Sequence, residues 1–122
     1  MSDIEKEIDD LNARAWQLML SSPEDALGLA ERALASAEEA GYEAGLAEAR
    51  LNVGWCENYL TRPGPAISSF QKSLDAFIAL GDRLGVMKAL NALGVVYFDL
   101  GRYDRAMDYF TQSLEEAQRA GN

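Results

Sequence analysis

The chain of 122 residues repeats itself at a fixed offset of 40 residues. After that shift small and apolar residues coincide along the whole chain: Gly41, Gly81 and Gly121; Leu34, Leu74 and Leu114; Ala26, Ala66 and Ala106; Leu20, Leu60 and Leu100. A fixed period of this length is typical of stacked structural repeats. The offset predicts three units, at about residues 3–41, 43–81 and 83–121. The length suits a single domain, 1–122.

Each unit has the pattern of two helices. Residues 4–19 carry apolar side chains at helical spacing, and no segment shows the sustained alternation of a strand. Ser22 and Pro23 have the pattern of a helix start with a serine cap, and Gly41 that of a left-handed helix end. The sequence therefore predicts an all-α chain of six antiparallel helices, each of about 15–19 residues.

Glycines fall in the middle of two predicted helices, at Gly54 and Gly94. A glycine there costs roughly 1 kcal/mol relative to alanine, which is tolerated when another backbone approaches closely. Phe70 and Phe110 lie at the corresponding place in the second helix of each unit. We expect these phenylalanines to fill the space beside the crossing point.

Composition narrows the classes of function. The chain has 20 acidic and 11 basic residues, a net charge of −9, one cysteine and no histidine. An internal disulfide is excluded, and a zinc site or a histidine-dependent triad is disfavoured. The acidic balance argues against nucleic acid, and no apolar run is long enough for a membrane span. We expect a soluble, cytoplasmic domain.

The charge is uneven along the chain. Residues 1–50 contain 12 acidic and 4 basic side chains, whereas residues 51–122 contain 8 and 7. Two interpretations stay open: a solvated helix surface, or a field that favours basic ligands near the N-terminal end.

These motifs resemble the tetratricopeptide repeat (TPR), in its subclass with a long repeat of about 40 residues. The third unit carries the signature most fully, with Leu93-Gly94, Tyr97, Gly101, Tyr103, Ala106 and Phe110. The second unit keeps Val53-Gly54, Ala66 and Phe70, but has Glu57 at the aromatic position. The first unit is degenerate, with Arg14 in place of the glycine and Ala30 in place of the phenylalanine.

The resemblance implies a right-handed α-solenoid of three antiparallel helix pairs that binds a peptide or helix segment of a partner protein in its concave groove. The first helix of each repeat would line that groove, with the candidate residues Asn12, Asn52, Trp55, Tyr59, Lys88, Asn91 and Val95. Alternatively, the asparagines only bond neighbouring helices. A clamp for the acidic tails of chaperones is disfavoured, because only Asn52 and Lys88 match its five positions.

Catalysis is not expected, and neither is a cofactor. Adjacent carboxylates such as Asp9 and Asp10 point to different sides of a helix rather than across a cleft. Cys56 lies in an apolar stretch without a basic neighbour, which predicts a buried and unreactive thiol.

The last predicted helix has an apolar face that would await a further repeat, formed by Met107, Phe110, Leu114 and Ala117. Solenoids need polar caps for solubility. We therefore expect either that the chain is the N-terminal piece of a longer protein or that this edge self-associates. Two further alternatives follow for function: a regulatory or sensory region of a larger signalling protein, of the kind that bacteria contain, or a self-associating structural array.

Overall fold

A computed structural model describes residues 1–121, which form six α-helices and no strand. The helices are α1 (Asp3–Leu18), α2 (Pro23–Ala40), α3 (Glu43–Tyr59), α4 (Pro63–Leu80), α5 (Arg83–Asp99) and α6 (Tyr103–Ala120). Their lengths of 16 to 18 residues confirm the all-α prediction. Asn122, the last residue of the predicted domain, lies outside the described residues.

The helix ends follow the predicted glycines, with one difference at a helix start. Gly41 and Gly81 adopt left-handed conformations with φ of 66° and 69°, whereas Gly121 ends α6 at φ −77°. Ser22 precedes α2, but its hydroxyl donates to the carboxylate of Asp25 at 2.8 Å instead of accepting a backbone N–H. Ser22 therefore occupies the predicted N-cap position of α2 but makes no side-chain cap hydrogen bond. The fixed φ of proline at the first helical position suits this start.

Within each of the last two repeats, a phenylalanine ring lies against a glycine of the facing helix. A Cβ added to Gly54 would come within 2.5 Å of the Phe70 ring, and one added to Gly94 would meet the Phe110 ring at the same distance. The sequence predicted an approaching backbone at these glycines, but the group that approaches is the aromatic ring. Phe70 is fully buried by this contact.

Close contacts between a glycine and a larger side chain also occur between repeats. A Cβ on Gly85 would collide with the ring of Phe77, and one on Gly45 would collide with Tyr42 and Ile8. These glycines lie near the starts of α5 and α3. Each new repeat can therefore pack closely onto the one before it.

Serine hydroxyls join the two helices of a repeat at equivalent places. Ser73 Oγ donates to the carbonyl of Ala47 at 3.1 Å, and Ser113 Oγ donates to the carbonyl of Met87 at 3.1 Å. Both pairs are related by the 40-residue offset found in the sequence. The repeat therefore extends to individual hydrogen bonds.

The first helices of the repeats lie side by side. Within the described chain α1 contacts α3 and α3 contacts α5, while α2, α4 and α6 contact only helices adjacent in sequence. Successive repeats are therefore closer together along α1, α3 and α5 than along α2, α4 and α6, so the stack is curved. The concave side of the stack is therefore the side of the first helices.

We predict opposite effects from the same substitution at two helical glycines. Gly54→Ala should lower the free energy of unfolding by about 1–2 kcal/mol, because the methyl group overlaps the Phe70 ring. Gly28→Ala should raise it by about 0.5–1 kcal/mol, because no atom lies within 4 Å of the new Cβ and alanine favours the helix. Urea unfolding followed by circular dichroism measures both. Equal effects at the two sites would contradict the role assigned to the ring contact.

Candidate functional site: the groove along α1, α3 and α5

Two adjoining cavities open on the side of the first helices. The central cavity, of about 250 Å³, is lined by Trp16, Glu48, Leu51, Trp55, Lys88 and Asn91. The acidic cavity, of about 380 Å³, is lined by Asp9, Asn12, Ala13, Trp16, Tyr42, Ala44, Glu48, Phe77 and Asp82. Trp16 and Glu48 line both cavities, and we refer to the two adjoining cavities together as the groove.

The predicted aromatic pair is assembled on α3. The Trp55 ring packs edge-on against Phe70, with centroids 5.2 Å apart, and stacks with Tyr59 at 6.1 Å. Trp55 is half-buried and Tyr59 is exposed. Because Phe70 is itself locked against Gly54, the indole of Trp55 is held as a fixed apolar wall.

The predicted residues of α5 lie across the groove from α3. Lys88 and Asn91 are exposed and line the central cavity, and Val95 is half-buried on the same helix. Lys88 Nζ lies 3.9 Å from Glu48 Oε1. Exposed pairs of this kind contribute little to stability, so Lys88 and Glu48 remain open to other partners.

Asn12 and Asn52 are buried and join helices to one another. Asn12 Nδ2 donates to the carbonyl of Gly45, and Asn52 Nδ2 donates to the backbone and side-chain oxygens of Asn12, each at 3.2 Å. Both side-chain amides therefore donate between α1 and α3, which agrees with the alternative that these asparagines bond neighbouring helices. In the third repeat the residue equivalent to Asn12 and Asn52 is Ala92, so no asparagine continues this series of hydrogen bonds to α5.

Sequence reasoning missed Trp16, which is 59% exposed and lines both cavities. At the 40-residue offset it aligns with Cys56 and Val96, which are fully buried. The sequence does contain one indication of this exposure, since a large indole occupies the position where the other two repeats have a small core residue. A large side chain at such a position indicates that the helix face is not covered in the first repeat.

The acidic cavity gathers three carboxylates, those of Asp9, Glu48 and Asp82, and the residues that line it include no lysine or arginine. Tyr42 Oη donates to Asp9 at 3.0 and 3.2 Å, and Asp82 Oδ1 accepts the backbone N–H of Gly85 at 3.0 Å. Burial, followed by the hydrogen bond to Asp9, raises the pKa of Tyr42, so this phenol remains a donor. Two of the three carboxylates are therefore held in place.

The apolar face predicted on α6 is only partly exposed. Met107 and Leu114 are 60% and 59% exposed, whereas Phe110 and Ala117 are half-buried. The residue equivalent to Leu114 in the second repeat, Leu74, is 7% exposed in the core that includes α5. The uncovered part of the predicted edge is therefore Met107 and Leu114.

Another cavity, of about 540 Å³, lies between α4, α5 and α6, on the opposite side from the groove. Its floor is apolar, with Leu74, Val86 and Leu90 among its lining residues. Two arginines and two glutamates also line it, and Arg119 is bound to Glu116 at 2.9 Å. The charges of this cavity balance, unlike those of the acidic cavity.

Cys56 is fully buried, as the sequence predicted, and packs among Met19 and Ala26. Burial raises the pKa of its thiol from 9.0 to about 11. Among the described residues no group of three histidine, cysteine, aspartate or glutamate side chains could hold a metal ion. No helix within residues 1–121 is long and apolar enough to cross a bilayer.

We predict that Cys56 reacts at least about 100-fold more slowly with Ellman's reagent at pH 8 in the folded chain than in concentrated urea, since burial removes both thiolate and access. Folding raises the pKa of this thiol, so the folded state binds the thiol proton more tightly than the unfolded state. The contribution of the thiol to the free energy of unfolding is therefore complete below pH 9 and is lost as the pH rises through about 11. The chain has no other cysteine, so the thiol signal is unambiguous. Equal rates in the two solvents would contradict the prediction.

Comparison with known proteins identifies the repeat. Residues 66–119 match the family model described as tetratricopeptide repeat. The TPR domain of FLU from Arabidopsis has a similar structure, with a TM-score of 0.84 over 95% of this chain and 98% of that domain. The two sequences are 16% identical, so this likeness shows the fold alone. No curated protein matches the chain.

Proposed function

Since residues 66–119 match the tetratricopeptide repeat and the chain has the fold of a TPR domain, we propose that it is a non-catalytic protein-interaction module that holds a peptide or helix segment of a partner in the groove along α1, α3 and α5. Repeats of this fold generally mediate protein–protein interactions. The observation that carries the proposal is the exposed indole of Trp16 beside the half-buried Trp55 in one cavity. Aromatic side chains of this kind dominate binding energy at protein interfaces.

Each part of the central cavity has a role in this proposal. Trp16 and Trp55 form apolar walls for one anchoring side chain, and Leu51 forms the floor. Asn91 has a free edge that can both donate to and accept from a peptide backbone. Asn12 and Asn52 support the groove from beneath by joining α1 to α3.

The test compares two double variants in affinity capture of partner proteins from cells that make this protein. Trp16→Ala with Asn91→Ala removes an exposed aromatic residue and an exposed amide from the groove. Tyr103→Ala with Gln112→Ala removes the same two kinds of side chain from α6. We expect the groove variant to retain at least about tenfold less of the captured partner, whereas the α6 variant retains it.

Circular dichroism and urea unfolding establish that both variants fold. A folded groove variant that captures the same proteins as the wild type would overturn the proposal. Loss in the α6 variant alone would place the interaction on α6 rather than in the groove.

A second candidate, self-association through α6, is favoured by the exposure of Met107 and Leu114. We expect Met107→Gln with Leu114→Gln to lower the weight-average mass of the chain at tens of micromolar in sedimentation velocity, because an apolar contact between copies is lost. Ile78→Gln on α4, also at an exposed apolar residue, is the control and should leave the mass unchanged. A wild type that is monomeric throughout this range would rule the candidate out.

The remaining alternative, a regulatory region of a signalling protein, stays a prediction, as does a cytoplasmic location. In that alternative the groove would receive a segment of the output domain rather than of a separate partner.

A further inference from the structure

We propose that the ligand of the groove is a cationic peptide segment, with an apolar side chain seated at Trp16, Leu51 and Trp55 and a neighbouring lysine or arginine directed into the acidic cavity. This proposal rests on the groove function proposed above and narrows the ligand to one chemical class.

The first argument is the charge of the acidic cavity. Three carboxylates line it, and the lining residues contain no compensating cation. The cavity between α4, α5 and α6 offers a contrast, because its two arginines are matched by two glutamates. An extended apolar ligand would suit either place, but a ligand with positive charge is favoured only at the groove.

The second argument is the orientation of the carboxylates. Tyr42 Oη holds the Asp9 carboxylate, and the N–H of Gly85 holds that of Asp82. Each carboxylate has about four lone-pair positions, so one or two hydrogen bonds leave acceptors for an ammonium or guanidinium group. Trp16 and Tyr42 line the same cavity and present aromatic surface that also attracts cations.

The third argument is the position of Glu48 between the two cavities. Glu48 meets Lys88 at 3.9 Å, and both side chains are substantially exposed. This pair is too long and too hydrated to hold either partner firmly. A ligand cation can therefore displace Lys88 from Glu48 while the apolar anchor fills the central cavity.

The fourth argument is the field of the whole domain. Residues 1–50 contain 12 acidic and 4 basic side chains, and they include α1 and the first half of α3, which wall the groove. Such an excess attracts cationic ligands and speeds their association at low ionic strength. Of the two interpretations of the acidic N-terminal part, the groove geometry supports the one with a basic ligand.

The experiment begins with a library of random 12-residue peptides displayed on phage, selected on the immobilised full chain in 50 mM salt. We expect enrichment of peptides with net positive charge and at least one large apolar residue. Enriched peptides are then synthesised with a fluorescent label and titrated with the chain. Affinity should fall about tenfold or more between 50 and 300 mM salt.

Charge-neutral variants of the groove supply the specific test. Glu48→Gln with Asp82→Asn should weaken the selected peptides about fivefold or more, since two carboxylates are lost while both side chains keep acceptors. Glu38→Gln with Glu39→Gln makes the same change of charge on exposed residues of α2 and should weaken them less than about twofold. Lys88→Gln should tighten binding about twofold, because Glu48 is freed.

Each other outcome has a defined meaning. Enriched peptides without net positive charge that still lose affinity with Trp16→Ala would overturn the cationic ligand and leave the groove function standing. Cationic peptides weakened equally by the groove pair and the α2 pair would reduce the effect to general charge attraction, which also overturns this proposal. Peptides indifferent to Trp16→Ala, or no enrichment at all, would overturn both the ligand class and the groove.

Discussion

The contact between a phenylalanine ring and a glycine on the facing helix is the interaction on which the rest of this structure depends. Phe70 occupies the space that a side chain at Gly54 would need, and Phe110 does the same at Gly94. The ring fills the gap that the missing Cβ leaves, and the two helices are thereby held at a fixed separation. Trp55 packs edge-on against Phe70, so the aromatic wall of the groove is fixed by the same contact.

The groove results from stacking and does not exist in any single repeat. Glycines at the starts of α3 and α5 let Ile8, Tyr42 and Phe77 approach closely, which brings successive first helices together. The hydrogen bonds from Asn52 to Asn12 then tie α1 to α3. As a consequence, Trp16, Trp55 and Asn91, from three different repeats, line one cavity. A change that loosens the stacking would alter the groove without touching its surface.

The sequence was sufficient to predict features that recur every 40 residues, and insufficient where one repeat departs from the others. The six helices and the placement of Phe70 and Phe110 beside the helix crossings follow from residue types at fixed spacing, and the burial of Cys56 follows from its apolar surroundings. Glu57 illustrates the limit. It replaces the aromatic residue of the signature, and its carboxylate accepts a hydrogen bond from Ser69 at 2.7 Å. In the third repeat the same two positions hold the stacked Tyr97 and Tyr109, with centroids 5.6 Å apart. A single substitution is visible in sequence, but the compensating partner 12 residues away is recognised only once the helices are paired.

Departures from the repeat pattern also shape the proposed binding surface. A position that recurs with the period has one packing role in every interior repeat, so its residue is chosen for the core. The same position at an end of the described stack has no neighbour to cover it, and its side chain becomes part of the surface. Trp16 stands where Cys56 and Val96 are buried, and Leu114 where Leu74 is buried. The tryptophan adds an aromatic wall to an acidic groove, whereas the leucine adds only apolar area. For this reason the groove combines shape with charge, which is the basis of the proposed selectivity for one class of ligand, while the α6 edge provides apolar area alone.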